Sequence, residues 1–240
     1  MLFTTSWDDG HPHDLKVADL LEKYHCTGTF YICRAGHNGA KLSEENIRKI
    51  SLKHEVGAHT LTHPSLPTLT GSALEEEVRG SKEWLEKITG KECRMFAYPF
   101  GHYTSLARDA VEKAGFQGAR TTVDLQWKMS DPFLLPTTLQ LHPFPLKPVW
   151  NRHAFSPLRS LWGKLNECHI PIVARRSWMA LAKAVWRHAR ETKKPWFHLW
   201  GHSWAIEKFS LWNDFEAFLQ FISQEKDVQH GCNSDLHRAS

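Results

Sequence analysis

Short runs typical of β-strands alternate with runs typical of helices along most of this 240-residue chain, and this alternation limits the fold more than any other feature. Residues 2–7, 28–32 and 54–60 are rich in β-branched and aromatic side chains, which favours strands. Residues 14–24, between the first two runs, carry apolar side chains at helical spacing. Strands joined by single helices need crossover connections, so the pattern predicts a parallel sheet.

The same alternation continues to residue 223. Further strands are predicted at 95–101, 116–121, 137–141 and 195–200, and helices at 43–53, 72–90, 105–115, 177–193 and 211–223. Ser43 precedes an acidic first turn, and Ser72 and Glu75 have the spacing of a capping box. With about 30 residues per strand–helix unit, we expect a closed or nearly closed α/β barrel.

Two segments depart from this pattern. Residues 122–157 contain six prolines and predict an extended loop insertion beside a site, with 137–141 as its best strand. Residues 224–240 are polar and predict a poorly ordered C-terminal tail, which leaves residues 1–223 as the barrel domain.

Composition excludes some classes of protein. A formal net charge of +4 from 30 basic and 26 acidic residues gives no electrostatic reason to expect nucleic acid as a partner. The basic and aromatic stretch 147–176 could contact an anionic substrate or a membrane surface, although such stretches are more often simply solvated. The five cysteines are widely spaced and predict free thiols, and no apolar run reaches the length of a membrane span. We therefore expect a cytoplasmic protein.

Polar side chains cluster where the predicted strands end. The first strand ends in Asp8 and Asp9, and His59 and His63 follow the third. Two histidines four residues apart can share one metal ion, and a carboxylate from the first strand would complete a catalytic site with open positions. The second aspartate could then accept a proton from water activated by the ion. With 16 histidines in the chain, the histidine pair alone would be weak evidence.

The motifs SWDDG, HTLTH, FAYPFG and HLWGH, in this order, resemble the signature of the NodB-like polysaccharide deacetylases, carbohydrate esterase family four. The resemblance spans residues 4 to about 207 and implies a deformed (β/α) barrel of about seven strands. It implies that Asp8 is the general base and that Asp9, His59 and His63 hold a divalent metal. That metal is zinc in most such proteins, with cobalt, manganese or nickel as alternatives.

The resemblance also implies a substrate pocket. In the third motif it assigns the oxyanion contact to the backbone N–H of Phe100, beside Pro99 and Tyr98. In the fifth motif it makes His202 the general acid and Leu199 a wall of the acetyl pocket, with Trp200 between them. One extra residue separates Leu199 from His202 compared with the family pattern, so His198 is an alternative acid or a core histidine.

Two family positions lack their usual residue. The arginine that orients the base in the third motif is replaced by Ala97, and Arg120 is a candidate to act in its place or to form an ordinary salt bridge. The fourth-motif aspartate has no clear match, because Asp124 and Asp131 both lie in the weakly patterned insertion.

The resemblance implies a metal-dependent hydrolase that removes an N-acetyl or O-acetyl group from a sugar or glycan. Two alternatives stay open at this point: a related hydrolase of non-sugar amides or cyclic imides, and a metal-free carbohydrate-binding relative. The complete Asp-Asp-His-His set argues against the metal-free relative.

Overall fold

A computed structural model describes residues 1–147 and 154–236. In these residues the strands are β1 (Leu2–Asp8), β2 (Thr29–Ile32), β3 (Glu55–Ala58), β4 (Met95–Ala97), β5 (Gly118–Arg120), β6 (Leu139–Leu141), β7 (Trp196–Gly201) and β8 (Gln229–Gly231). The helices are α1 (Asp14–Lys23), α2 (Glu44–Ser51), α3 (Gly71–Thr89), α4 (Ser105–Lys113), α5 (Ser156–Glu167), α6 (Trp178–Glu191), α7 (Ser203–Lys208) and α8 (Trp212–Ser223).

Seven of the strands form one parallel sheet in the order β5-β4-β3-β2-β1-β7-β6. The segment 135–138 spans the gap between its two edges: Leu135 forms a parallel bridge with Arg120, and the Thr138 N–H donates to the carbonyl of His198 at 2.9 Å. The predicted α/β fold, a deformed barrel of about seven strands in a single domain, is confirmed.

The strand side chains alternate between two buried faces. Outward residues pack under the helices in the larger apolar cluster, which includes Phe3, Trp7, Phe30, Phe96 and Phe197. Inward residues fill the barrel in a smaller cluster: Leu2, Tyr31, Met95, Ala97, Leu135, Trp196 and Leu236. Because both faces are covered, the strands are buried along almost their whole length.

Local signals predicted some helix ends and not others. Ser43 caps α2, where its hydroxyl accepts a hydrogen bond from the Asn46 N–H at 3.2 Å, as predicted. The capping box predicted at Ser72 is wrong: Thr70 is the N-cap of α3 and its side chain makes no capping bond. The predicted insertion contains β6 and the start of α5, a helix that the sequence pattern does not predict; residues 148–153 lie outside the described residues.

The C-terminal segment differs from the predicted poorly ordered tail. β8 pairs with residues 2–4 of β1, and a short 3₁₀ turn at 233–235 follows it. Asn233 is fully buried and donates from Nδ2 to the Tyr31 hydroxyl at 3.0 Å, and Leu236 joins the inner apolar cluster. The segment therefore fills the end of the barrel opposite the strand carboxyl ends, where Nδ2 of Asn233 has a buried partner in Tyr31. Residues 237–240 lie outside the described residues.

All five cysteines lie within the described residues and are free thiols, as predicted. In the same residues, no helix combines the length and the apolar composition needed to cross a membrane.

Candidate active site

A cleft of about 930 Å³ opens at the carboxyl ends of the strands, the end where barrel enzymes carry their chemistry. Side chains that follow β1, β3, β4 and β7 line it. The predicted site residues in its wall are Asp8, Asp9, His59, His63, Phe100, Trp200 and His202. The four strand ends therefore meet at one place, as the sequence predicts.

A sharp turn after β1 directs the two adjacent aspartates to different partners. Asp8 is the last residue of the strand, and Asp9 and Gly10 have positive φ values of 82° and 69°. A Cβ at position 10 would lie 2.7 Å from Cγ2 of Ile32, so only glycine fits both the backbone conformation and the space. The turn separates two carboxylates that would otherwise repel each other.

Asp8 is paired with a buried arginine. Nη2 of Arg120 donates to both oxygens of the Asp8 carboxylate, and the two side chains are 0% and 4% exposed. The guanidinium lies between two aromatic rings, with its carbon 5.2 Å from the centroid of Tyr31 and 4.9 Å from that of Trp200. Arg120, the candidate for the missing third-motif arginine, therefore reaches Asp8 from β5.

The second aspartate faces the two histidines. Oδ1 of Asp9 lies 3.7 Å from Nε2 of His59 and 3.4 Å from Nε2 of His63, and the two imidazole nitrogens are 3.1 Å apart. These three ligand atoms all lie within 4.8 Å of one another. His59 and Asp9 are buried, while His63 is partly exposed toward the cleft.

The donor chemistry of this cluster fits a divalent metal. Nδ1 of His59 donates to the carbonyl of Ala97 at 2.7 Å, so Nε2 presents its lone pair to the cluster. Two imidazoles and one carboxylate with room for further ligands form a donor set suited to zinc and related ions. Asp9, His59 and His63 could therefore hold such an ion.

The electrostatics of the cluster agree with a cation site. Burial raises the pKa of Asp9, but the neighbouring His202 and His59 outweigh it and hold that pKa below its usual range. Burial lowers the pKa of His59 to about 4. At neutral pH the cluster therefore presents an ionised carboxylate and a neutral imidazole, the forms that bind metals.

Two further side chains, those of Trp204 and His37, lie beside Asp9. The indole N–H of Trp204 donates to Oδ2 of Asp9 at 2.7 Å. The ring of His37 stacks on that indole at 4.0 Å with an interplanar angle of 8°, and its Nδ1 lies 3.5 Å from the same oxygen. From the sequence, Trp204 is a candidate for stacking on a sugar at the barrel mouth, but its bond to Asp9 is not predicted; His37 lies in a loop with no sequence signal.

The structure separates the two candidate acid histidines. His202 lines the cleft, with Nε2 4.0 Å from Oδ2 of Asp9. His198 lies inside the barrel, where Nε2 is 2.9 Å from the Ser6 hydroxyl oxygen. Burial and the nearby Arg120 lower the pKa of His198 to about 3, so it is a neutral core histidine at ordinary pH.

Three predicted pocket residues lie elsewhere. Leu199 points outward into the cluster under the helices, because His198 and Trp200 on either side of it point inward. Tyr98 packs in the same outer cluster, and Pro99 is buried at the start of the 99–101 turn. Phe100 is 58% exposed in the cleft, with its ring 4.7 Å from that of His63.

The two candidate aspartates of the insertion also separate. Oδ1 of Asp124 accepts from the indole N–H of Trp200 at 2.8 Å and from the Thr137 hydroxyl at 2.6 Å. Burial raises the pKa of Asp124. Asp131 instead pairs with Arg108 at 2.9 Å, outside the cleft lining. Asp124 therefore orients the indole of Trp200.

Comparison with known proteins shows a similarity to one family. Residues 3–119 match the family model "Polysaccharide deacetylase". The chain is 28% identical over 134 residues to the peptidoglycan-N-acetylmuramic acid deacetylase PdaA of Bacillus subtilis, a match that covers 55% of this chain and 49% of PdaA. Just under half of the chain is therefore similar to the polysaccharide deacetylase family, and the predicted resemblance is confirmed. The alignment spans about half of PdaA.

Solved structures agree with the fold. A polysaccharide deacetylase from Bacillus cereus, BC0361, is 30% identical with a TM-score of 0.50, over 55% of this chain and 45% of that one. The family four pseudoenzyme BA3943 of Bacillus anthracis is 14% identical with a TM-score of 0.60, over 98% of this chain and 64% of that one. The second similarity concerns the fold alone.

Proposed function

We propose that this protein is a metal-dependent hydrolase that removes an acetyl group from an N-acetylated glycan. The observation that carries the proposal is that the two adjacent aspartates at the end of β1 have different partners. Asp9 faces His59 and His63, while the neighbouring Asp8 is held apart by Arg120 within the same cleft. A binding module would have no need for a second, separately oriented carboxylate beside a metal site.

Zinc is the proposed ion, held by Asp9, His59 and His63, because two imidazoles and a carboxylate match its ligand preference. The ion would supply Lewis-acid polarisation of the acyl carbonyl and a more acidic water. Peptidoglycan is the first glycan to test, since PdaA is named for deacetylation of peptidoglycan N-acetylmuramic acid.

The remaining steps belong to the chain's own side chains. Asp8, fixed by Arg120, takes a proton from the attacking water. The backbone N–H of Phe100 donates to the oxyanion that forms on the acyl carbon. His202, at the opposite side of Asp9 from the histidine pair, gives a proton to the departing nitrogen. Trp204 borders the cleft, is partly exposed and offers a flat surface to a sugar ring.

The test is acetate release by the zinc-loaded protein from peptidoglycan fragments, chitin oligomers and acetylated nucleotide sugars. Asp8→Asn should lower kcat by about 10²–10⁴ and leave the zinc content unchanged. Asp131→Asn, a change outside the cleft lining, is the matched control and should keep full activity. His202→Ala should lower kcat over a similar range.

Four outcomes would contradict the proposal. No acetate release from any glycan by zinc-loaded protein would exclude the activity, and release from a non-sugar amide or cyclic imide in its place would exclude the substrate class. Loss of zinc from the Asp8→Asn variant would show that the two aspartates have exchanged roles. Full activity of His202→Ala would remove His202 from the mechanism.

A further inference from the structure

A group of large apolar side chains is exposed at the end of the insertion, on α5 and on the 3₁₀ turn Ile172–Arg176 that follows it. The exposed fractions are 57% for Phe155, 44% for Trp162, 74% for Ile172 and 68% for Val173. Together with Arg159, which is also exposed, we call these residues the insertion patch. We propose that the insertion patch binds the surface of a membrane containing anionic lipids.

The patch has the geometry of one surface. Phe155, Arg159 and Trp162 are spaced by four and three residues, which places them on one side of α5. The guanidinium carbon of Arg175 lies 4.7 Å from the ring centroid of Trp162. Arg175 belongs to the 3₁₀ turn Ile172–Arg176, so this contact holds the exposed Ile172 and Val173 beside the helix.

The opposite side of α5 is turned inward. Leu161 and Leu165 are buried, and Ser160, Leu161 and Lys164 line the cleft. The two sides of α5 therefore differ: one side forms the wall of the cleft, and the other presents aromatic and basic side chains to solvent. Helices that lie in a membrane interface combine aromatic or aliphatic side chains with arginine and lysine in this way.

The charge of this part of the chain indicates which kind of partner binds the insertion patch. Residues 146–176 contain six of the 30 basic residues and one of the 26 acidic residues, so this segment carries a formal charge of +5 and the rest of the chain −1. A second copy docked on the same patch would bring two segments of equal positive charge together. An anionic bilayer complements both the charge and the exposed apolar side chains.

The proposal concerns binding and is independent of the deacetylase activity. The probe is a set of sedimented vesicles made of phosphatidylcholine alone or mixed with an equal amount of phosphatidylglycerol. Wild-type protein should bind the anionic vesicles and not the neutral ones, and high salt should release it. Arg159→Glu should lower the partition coefficient at least about fivefold, since each basic residue near such a surface contributes by about that factor.

Matched variants distinguish binding by the insertion patch from nonspecific adsorption to the vesicles. Ile172→Ser combined with Val173→Ser should lower binding at least about tenfold, because both apolar side chains are lost from the interface. Leu52→Ser removes a leucine that is 75% exposed outside the patch and should have no effect. Lys113→Glu, on α4, is the charge control and should weaken binding less than Arg159→Glu.

Several results would overturn the inference. These are equal binding to neutral and anionic vesicles, equal losses in patch and control variants, or no binding at all. Light scattering on the free protein, without vesicles, tests whether a second copy of the chain covers the patch. A concentration-dependent dimer that disappears in the Ile172→Ser, Val173→Ser variant would show that the patch is covered by a second copy.

Discussion

Replacing Arg120 with methionine tests the buried ion pair on which the placement of Asp8 depends. The two side chains are 0% and 4% exposed, and the guanidinium is flanked by the rings of Tyr31 and Trp200. Methionine can fill much of that space, but it leaves the Asp8 carboxylate without its bidentate donor. Removing one partner of a buried pair costs about 3–5 kcal/mol, because the remaining charge stays desolvated.

This loss is large compared with the stability of a typical domain, about 5–15 kcal/mol. Urea denaturation of metal-free protein measures it as a change in the midpoint at constant slope. The double variant Arg120→Met, Asp8→Leu removes both charges and should recover most of the lost stability. It should remain inactive, so recovery of stability without recovery of activity separates the structural role of the pair from the catalytic one.

A destabilisation below about 1 kcal/mol in Arg120→Met would refute the reasoning, since that is the contribution expected of a solvent-exposed pair. It would mean that the Asp8 carboxylate has access to water or to another donor once Arg120 is gone. A double variant as unstable as the single one would also count against the argument, because the cost would then come from packing around Tyr31 and Trp200.

Three further predictions use other contacts. Asn233→Ala should destabilise the protein by about 1–3 kcal/mol in urea denaturation, because the buried Tyr31 hydroxyl loses its partner. The pKa of His198 is about 3 in the folded state and about 6.5 in the unfolded state. Between these two pH values the unfolded state binds more protons than the folded state. The free energy of unfolding therefore falls as the pH decreases from about 6.5 towards 3. His198→Gln should reduce this slope by about 1.4 kcal/mol per pH unit, measured by denaturation between about pH 6 and 5. Trp204→Phe removes the indole donor to Asp9 and should weaken zinc binding about 10–100-fold in a chelator competition assay.

Much of the fold follows from the order of strand and helix patterns, because each parallel strand needs a crossover helix and the pattern repeats. The candidate metal cluster follows as well. Asp9 and His59 come directly after strands and His63 lies in the turn that follows, and the carboxyl ends of parallel strands meet at one end of a barrel. The sequence predicts the fold and the proximity of these three side chains because both depend on local spacing and on a general rule of topology.

The partner of Asp8 depends on packing that local spacing does not determine. Arg120 lies 112 residues further along the chain and reaches the carboxylate only because β5 joins the sheet beside β4. Its sequence position therefore fits a surface salt bridge equally well. The polar C-terminal segment is a similar case, since Asn233 and β8 look solvent-exposed until the open end of the barrel is known.

The position of Leu199 depends on the register of β7. Parallel pairing with β1 fixes that register, and alternation along the strand then requires Leu199 to point outward when His198 and Trp200 point inward. The extra residue between Leu199 and His202, relative to the family pattern, thus replaces a leucine by an indole in the wall of the cleft. Because Trp200 is only 5% exposed and Asp124 holds its indole N–H at 2.8 Å, the indole is fixed in this part of the wall and lies between the barrel interior and the cleft.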